Sequence, residues 1–194
     1  MTGILELRTW LLANYRFLSE EDLEFFRPHL IERQIGKDEH VLASGRCCRE
    51  VSFIVSGAFR MYHGLGGKEI NSHFFVEHDF MADYGSLLGQ IPSRYSIQAL
   101  EPSKIVSISH DVLMYAYEHS KNWERVGRLM AEHYAGIFSG RLEQFLFMGG
   151  QERYRCLLQT NPHIFERVPL YHLASYLGME RESLSRIRQR LSRA

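Results

Sequence analysis

Arg181, Glu182, Ser185 and Arg186 are the side chains of this sequence best suited to recognising another molecule. On a helix these four spacings fall on one face. An arginine can donate twice to the O6 and N7 edge of guanine. A glutamate can accept from the amino group of cytosine, and a serine can do either. The set therefore suits reading base edges rather than breaking bonds.

The surrounding stretch supplies the frame such a face needs. Pro169 fits a first helical position, where no N–H is required. Leu173 and Leu177 share one face of the helix that follows, and Ala174 is small enough for a second helix to approach closely. Gly178 can take the left-handed conformation that ends a helix. Leu184 and Ile187 are spaced to face back onto the first helix. Residues 168–187 thus read as a helix-turn-helix, with Arg181 at the start of its second helix.

Charge is distributed accordingly. The chain of 194 residues has zero formal net charge. Residues 151–194 hold eight arginines (153, 155, 167, 181, 186, 188, 190 and 193) against four glutamates, so the tail is basic and the body acidic. A basic module on an acidic body suits a regulator that meets phosphates at one end. No apolar run approaches the ~20 residues of a membrane span, and the N-terminus does not read as a signal peptide. Three cysteines, two of them adjacent (Cys47 and Cys48), make no disulfide framework and no zinc spacing. A reducing cytoplasm is the expected setting.

Ile4, Leu7, Trp10, Leu11 and Tyr15 predict a first helix, and Ser19-Glu20-Glu21-Asp22 reads as the capping box of a second. Short runs rich in β-branched and aromatic residues then recur at 39–42, 51–55, 58–63, 70–75, 95–99 and 104–108. Ser56-Gly57 is a turn, and Leu65-Gly66-Gly67-Lys68 is a hairpin tip. This pattern predicts a jelly-roll β-barrel. From Ser109 onward the chain reads as helical. Trp123, Val126, Met130, His133 and Ile137 mark a helix over 121–148, about 40 Å long at 1.5 Å per residue. That exceeds what a small barrel covers, so the stripe is expected to pair with the same helix of a second subunit, His133 included. Gly149-Gly150 reads as a hinge. The expected class is α+β: residues 1–120 an effector-type β-roll with N-terminal helices, 121–148 a dimerisation helix, and 149–194 a helix-turn-helix domain.

In that order these parts resemble the Crp/Fnr family of bacterial transcription regulators. The most specific likeness is Arg181-Glu182-Ser183-Leu184-Ser185-Arg186, similar to the family's recognition-helix run; Ile54-Val55-Ser56-Gly57 is similar to its strand and turn. The resemblance implies a homodimer on palindromic double-stranded DNA, contacts to RNA polymerase, and a small-molecule effector in a cyclic-nucleotide-binding-like domain. Two departures follow. Glu166-Arg167-Val168-Pro169 leaves no room for the hairpin that precedes the helix-turn-helix in many members, and only seven residues follow Ile187. The unit therefore resembles the short members of Bacteroidetes-type genomes, without a full wing. In cyclic-nucleotide-binding members a glutamate takes the ribose hydroxyl and an arginine the cyclic phosphate. By that resemblance Asp83 falls at the first position and Arg94 at the second, with Ala82 in place of a glycine and Tyr95 in place of a small hydroxyl residue. The site is expected to be degenerate, with Tyr95 filling ligand space and Arg94 free to pair with Asp83 as a structural ion pair.

The alternative reading is a small-molecule-binding jelly roll or cupin-like metalloenzyme whose last helices mediate protein contacts. Cupins need a His-x-His pair on one strand face. His73 and His78 stand an odd number of positions apart and so point to opposite faces of a strand. Three cysteines are too few for an intrachain iron–sulfur set. No nucleophile elbow, P-loop or dinucleotide fingerprint is present. The expectation is a non-enzyme without cofactor or metal.

Overall fold

The computed structural model describes residues 2–191. They form two compact units: the chain up to Met61 with Phe74–Glu132, and Tyr62–His73 with the chain from His133 onward.

The first unit opens with α1 (Gly3–Asn14) and α2 (Glu20–Glu24). Thr2 caps α1 by accepting from the Leu5 N–H. Ser19 and Asp22 form the expected reciprocal capping box on α2, which satisfies two otherwise orphaned donors. Eight strands follow: β1 (Ile31–Ile35), β2 (His40–Leu42), β3 (Glu50–Ser56), β4 (Phe59–Leu65), β5 (Lys68–Phe75), β6 (Phe80–Met81), β7 (Ser96–Ala99) and β8 (Ser103–Ser109), with α3 (Tyr84–Gly89) between β6 and β7. They form two four-stranded sheets, ordered β1-β8-β3-β6 and β2-β7-β4-β5. The jelly-roll expectation holds.

Because strand side chains alternate, the first sheet serves two cores. Ile54 and Ile105 point into the roll with Phe59, Leu87 and Ile97. Phe53 and Val106, paired across β3 and β8, point outward onto Leu7, Leu11, Trp123 and Val126. The turn after β3 depends on Gly57. Its φ is +112°, and a Cβ there would lie 2.0 Å from Ser103 Oγ, so only glycine fits.

Helix α4 (His110–His119) leads into α5 (Lys121–Phe147), 27 residues long. Here the structure corrects one expectation. Trp123 and Val126 are buried in their own chain, and Met130 packs against the same core. The Trp123 indole donates to the Asp22 carbonyl at 2.9 Å. The first half of the stripe therefore closes the helical side of the first unit. Farther along, Ala131, Ala135, Phe138 and Leu142 are exposed at spacings of four, three and four. That is the heptad spacing of a helix seam.

In the second unit α6 (Gly150–Thr160), α7 (Ile164–Arg167), α8 (Leu170–Tyr176) and α9 (Arg181–Leu191) follow α5. Gly149 is the N-cap of α6. No strand follows β8 among the described residues. The end of the β4–β5 hairpin belongs to this unit, turning through Gly66 and Gly67, both at positive φ. Arg193 lies outside the described residues.

Candidate nucleic-acid interface

The turn between α8 and α9 is a complete Schellman motif. Gly178 stands at φ +65°. Its N–H donates to the Ser175 carbonyl at 3.1 Å, and the Met179 N–H to the Ala174 carbonyl at 3.0 Å. These bonds satisfy carbonyls that a helix end would otherwise orphan. Leu173, Leu177 and Leu184 are each no more than 2 % exposed, so the two helices share a dry seam. A Cβ on Gly178 would lie 2.6 Å from the Phe145 ring. Two arginines lock the same end of α8. Arg141 stacks 3.5 Å from the Tyr176 ring centroid and donates to the Tyr176 carbonyl. Arg153 donates to the Leu177 carbonyl at 3.0 Å. Both cations sit where the helix dipole is negative. Arg153, counted in the basic tail, is therefore committed to the turn.

With the seam fixed, α9 presents the opposite face to solvent. Arg181, Glu182 and Arg186 are exposed and Ser185 is half-buried. All four line one shallow groove with Leu170 and Gln189. The structure thus brings the four sequence-predicted residues together and adds Gln189, four and three residues beyond Ser185 and Arg186. That spacing was the available signal for it. Arg188 and Arg190 are exposed farther along.

Behind α8 lies a contact the sequence did not disclose. The Asn71 backbone N–H donates to Ser175 Oγ at 3.0 Å, and Ser175 Oγ donates to the Glu69 carbonyl at 2.8 Å. Asn71 Nδ2 lies 3.2 Å from His172 Nδ1. Lys68 pairs with Glu180 at 3.5 Å. The hairpin end thereby braces the helix-turn-helix from the rear. About a hundred residues separate these partners, so no local pattern marks them.

The residues expected at the effector position in the roll are arranged differently. Asp83 is the N-cap of α3, accepting from the Gly85 N–H at 3.2 Å. Its second oxygen takes the Ser93 hydroxyl at 2.6 Å, and both side chains are buried. Arg94 is exposed, and Tyr95 is half-buried against the roll core. Ser93 is a partner of Asp83 that the sequence did not mark. A recess of about 210 Å³ is walled by Leu42, Met81, Ala82 and Ile97, together with Arg33 and Glu50. Asp83, Arg94 and Tyr95 are not among its walls. Arg33 is already neutralised by its ion pair with Glu50 and also donates to Ser107. No cluster of three or more metal-ligating side chains occurs among the described residues.

Residues 32–120 match the cyclic nucleotide-binding domain family. No curated protein matches the sequence. Among solved structures, FixK2 from Bradyrhizobium japonicum is similar at 18 % identity, over 84 % of each chain, with a TM-score of 0.74. The c-di-GMP-responsive global regulator CLP of Xanthomonas campestris is 16 % identical over 90 % of this chain and 92 % of its own, with a TM-score of 0.71. The catabolite activator protein of Thermus thermophilus is 18 % identical over 92 % and 86 %, with a TM-score of 0.56. At these identities the likeness is one of fold alone: a cyclic nucleotide-binding-type roll, a long helix and a helical C-terminal module. No described helix is long and apolar enough to cross a membrane.

Proposed function

We propose that the chain is a homodimeric, sequence-specific DNA-binding transcription regulator of Crp/Fnr type, with a sensor roll whose cyclic-nucleotide site is degenerate. The observation that carries this reading is the face of α9. Arg181, Glu182, Ser185, Arg186 and Gln189 line one exposed groove on a helix whose other side is locked by Leu184. These side chains suit base edges in a major groove. The division of labour we propose gives sensing to residues 1–120, pairing to 121–148 and DNA reading to 149–194. The seam we assign to pairing is Ala131, Ala135, Phe138 and Leu142. Two-fold pairing implies a palindromic site. The internal bond between Asp83 and Ser93 supports a roll that has lost the usual nucleotide contacts while leaving room for another effector. A cytoplasmic location, contact with RNA polymerase and the absence of catalytic activity belong to the same reading.

The test is a band-shift titration of the full chain against duplexes tiled from its own genomic neighbourhood, with scrambled duplex as competitor. A duplex bound at least a hundredfold more tightly than scrambled sequence is the expected result. Equal affinity for all duplexes would remove the reading.

A further inference from the structure

A second cavity, of about 340 Å³, lies beneath α1. It is closed by Leu7 and Leu11 of α1, by Phe26, and by Trp123 and Val126 of α5, all buried. Its size falls at the lower end of the range of small-molecule sites, and its walls have their character: mostly apolar, with few polar groups. We infer that this cavity binds a neutral, largely apolar small molecule carrying one hydrogen-bond-accepting oxygen. The inference stands apart from the DNA reading and from the roll recess.

Tyr117 specifies the oxygen. Its ring lies against Gly127 of α5, where a Cβ would come within 2.5 Å of the ring carbon bearing the hydroxyl. The missing side chain at 127 is what lets Tyr117 lie along the cavity wall. The Tyr117 side chain is half-buried on this wall. Burial, with Tyr15 nearby, pushes its pKa up to about 12, so it remains a protonated donor. A hydroxyl on a mostly apolar wall gains from an acceptor that a ligand brings to it. Tyr84 also lines the cavity, on a wall that is otherwise mostly hydrocarbon, so a lone water finds few of the two to four polar partners it needs. A ligand with an apolar body and one carbonyl or ether oxygen meets both requirements.

The rim specifies neutrality. Arg8 pairs with Glu20 at 2.5 Å, and Arg27 with Glu24 at 3.4 Å. Each cation at the opening is thus matched by a carboxylate, and no net charge selects an ion. Leu5 is 41 % exposed and lines the same cavity, which makes it the residue at which to plug the mouth.

The probe is prodan, a neutral naphthalene ketone whose emission shifts to the blue in apolar surroundings. With the full chain it should bind once per chain, in a saturable manner at micromolar concentration, quench Trp123 and raise the thermal midpoint. Leu5→Trp alters an exposed position and should remove binding. Tyr117→Phe should weaken prodan about fivefold, while leaving N-phenyl-1-naphthylamine, which has no oxygen, bound as before. Prodan that does not saturate, or that binds Leu5→Trp as tightly as the parent, overturns the site. Equal prodan affinity in Tyr117→Phe and the parent overturns the ligand class. DNA affinity is measured on separate samples, so failure of the band-shift experiment and failure of this one are distinguishable.

Discussion

Asp83 and Ser93, ten residues apart, are joined by a 2.6 Å hydrogen bond between buried side chains. The same carboxylate caps α3 through the Gly85 N–H. Asp83→Ala therefore removes a cap and leaves a buried hydroxyl without its acceptor. Losses of this kind amount to about 2 kcal/mol. Urea denaturation should show that loss as a lower midpoint with an unchanged slope; a variant as stable as the parent would mean that the pair carries no structural load.

That bond also bears on ligand choice. A carboxylate engaged with Ser93 must surrender that partner to take a ribose hydroxyl, and Arg94 is exposed. Cyclic AMP is expected to bind with a Kd weaker than about 100 μM, a standard free energy of only about −5.5 kcal/mol. Calorimetry is the measurement. Low-micromolar binding abolished by Arg94→Ala would instead make Asp83 and Arg94 a working site.

Much of this arrangement was legible in the sequence, for reasons particular residues make plain. Gly178, Leu173, Leu177 and Leu184 are neighbours along the chain, so their turn and seam follow from local spacing. Gly57 and Ser19 likewise mark a turn and a cap by type alone. Strand β1 carries little strand signal in the sequence because Glu32, Arg33 and Gln34 break its apolar alternation; it sits at a sheet edge, with Ile31 57 % exposed. The stripe on α5 was visible, but its burial was not. Periodicity shows which residues share a face and cannot say whether Trp123 meets its own core or a second subunit. Ser93 gives no such signal beside Arg94, because a charged side chain looks more like a ligand contact than a serine does. The bonds of Asn71 to His172 and Ser175 depend wholly on tertiary folding.

His73 makes the second unit sensitive to acid. It is partly buried, with its Nδ1 shut off from solvent. Burial, aided by the Arg141 charge, lowers its pKa from 6.5 to about 4. The unfolded chain then binds a proton that the folded chain refuses. The stabilising contribution is complete above pH 6.5 and is lost progressively as pH falls toward 4. A loss on the order of 2 kcal/mol is expected over that window. Denaturation midpoints measured from pH 7 to 4 should fall more steeply for the parent than for His73→Gln. Parallel curves would exclude His73 as the cause.

The proposed pairing of two chains rests on the exposed seam of α5. Leu142 is 60 % exposed and Phe138 47 % exposed in the single chain. Leu142→Glu would place like charges opposite one another in a desolvated seam and should yield a folded monomer in sedimentation at micromolar concentration. Met130→Glu instead introduces a charge beside the core of the first unit and should lower stability. A parent chain that sediments as a monomer, or a Leu142→Glu variant that remains a dimer, would remove the seam.

On DNA, the arginines of α9 should separate into two kinds. Arg186 lies in the groove with Arg181 and Glu182, whereas Arg190 is exposed beyond it. If the N-terminal half of α9 enters the major groove, Arg186 reaches a base edge first, and Arg190 meets phosphate. Arg186→Ala should then cost about 1–3 kcal/mol on the cognate duplex and relax the preference at one position of each half-site. Arg190→Ala should weaken every sequence alike and flatten the dependence of affinity on salt, because one fewer counterion is released. In the proposed two-fold dimer, half-sites would lie about 10 base pairs apart, centre to centre. The measurement is a titration of both variants on cognate and scrambled duplexes at two salt concentrations. An Arg186→Ala variant whose ratio of cognate to scrambled affinity equals that of the parent would show that sequence is read elsewhere, because a side chain that meets only phosphate shifts both affinities together.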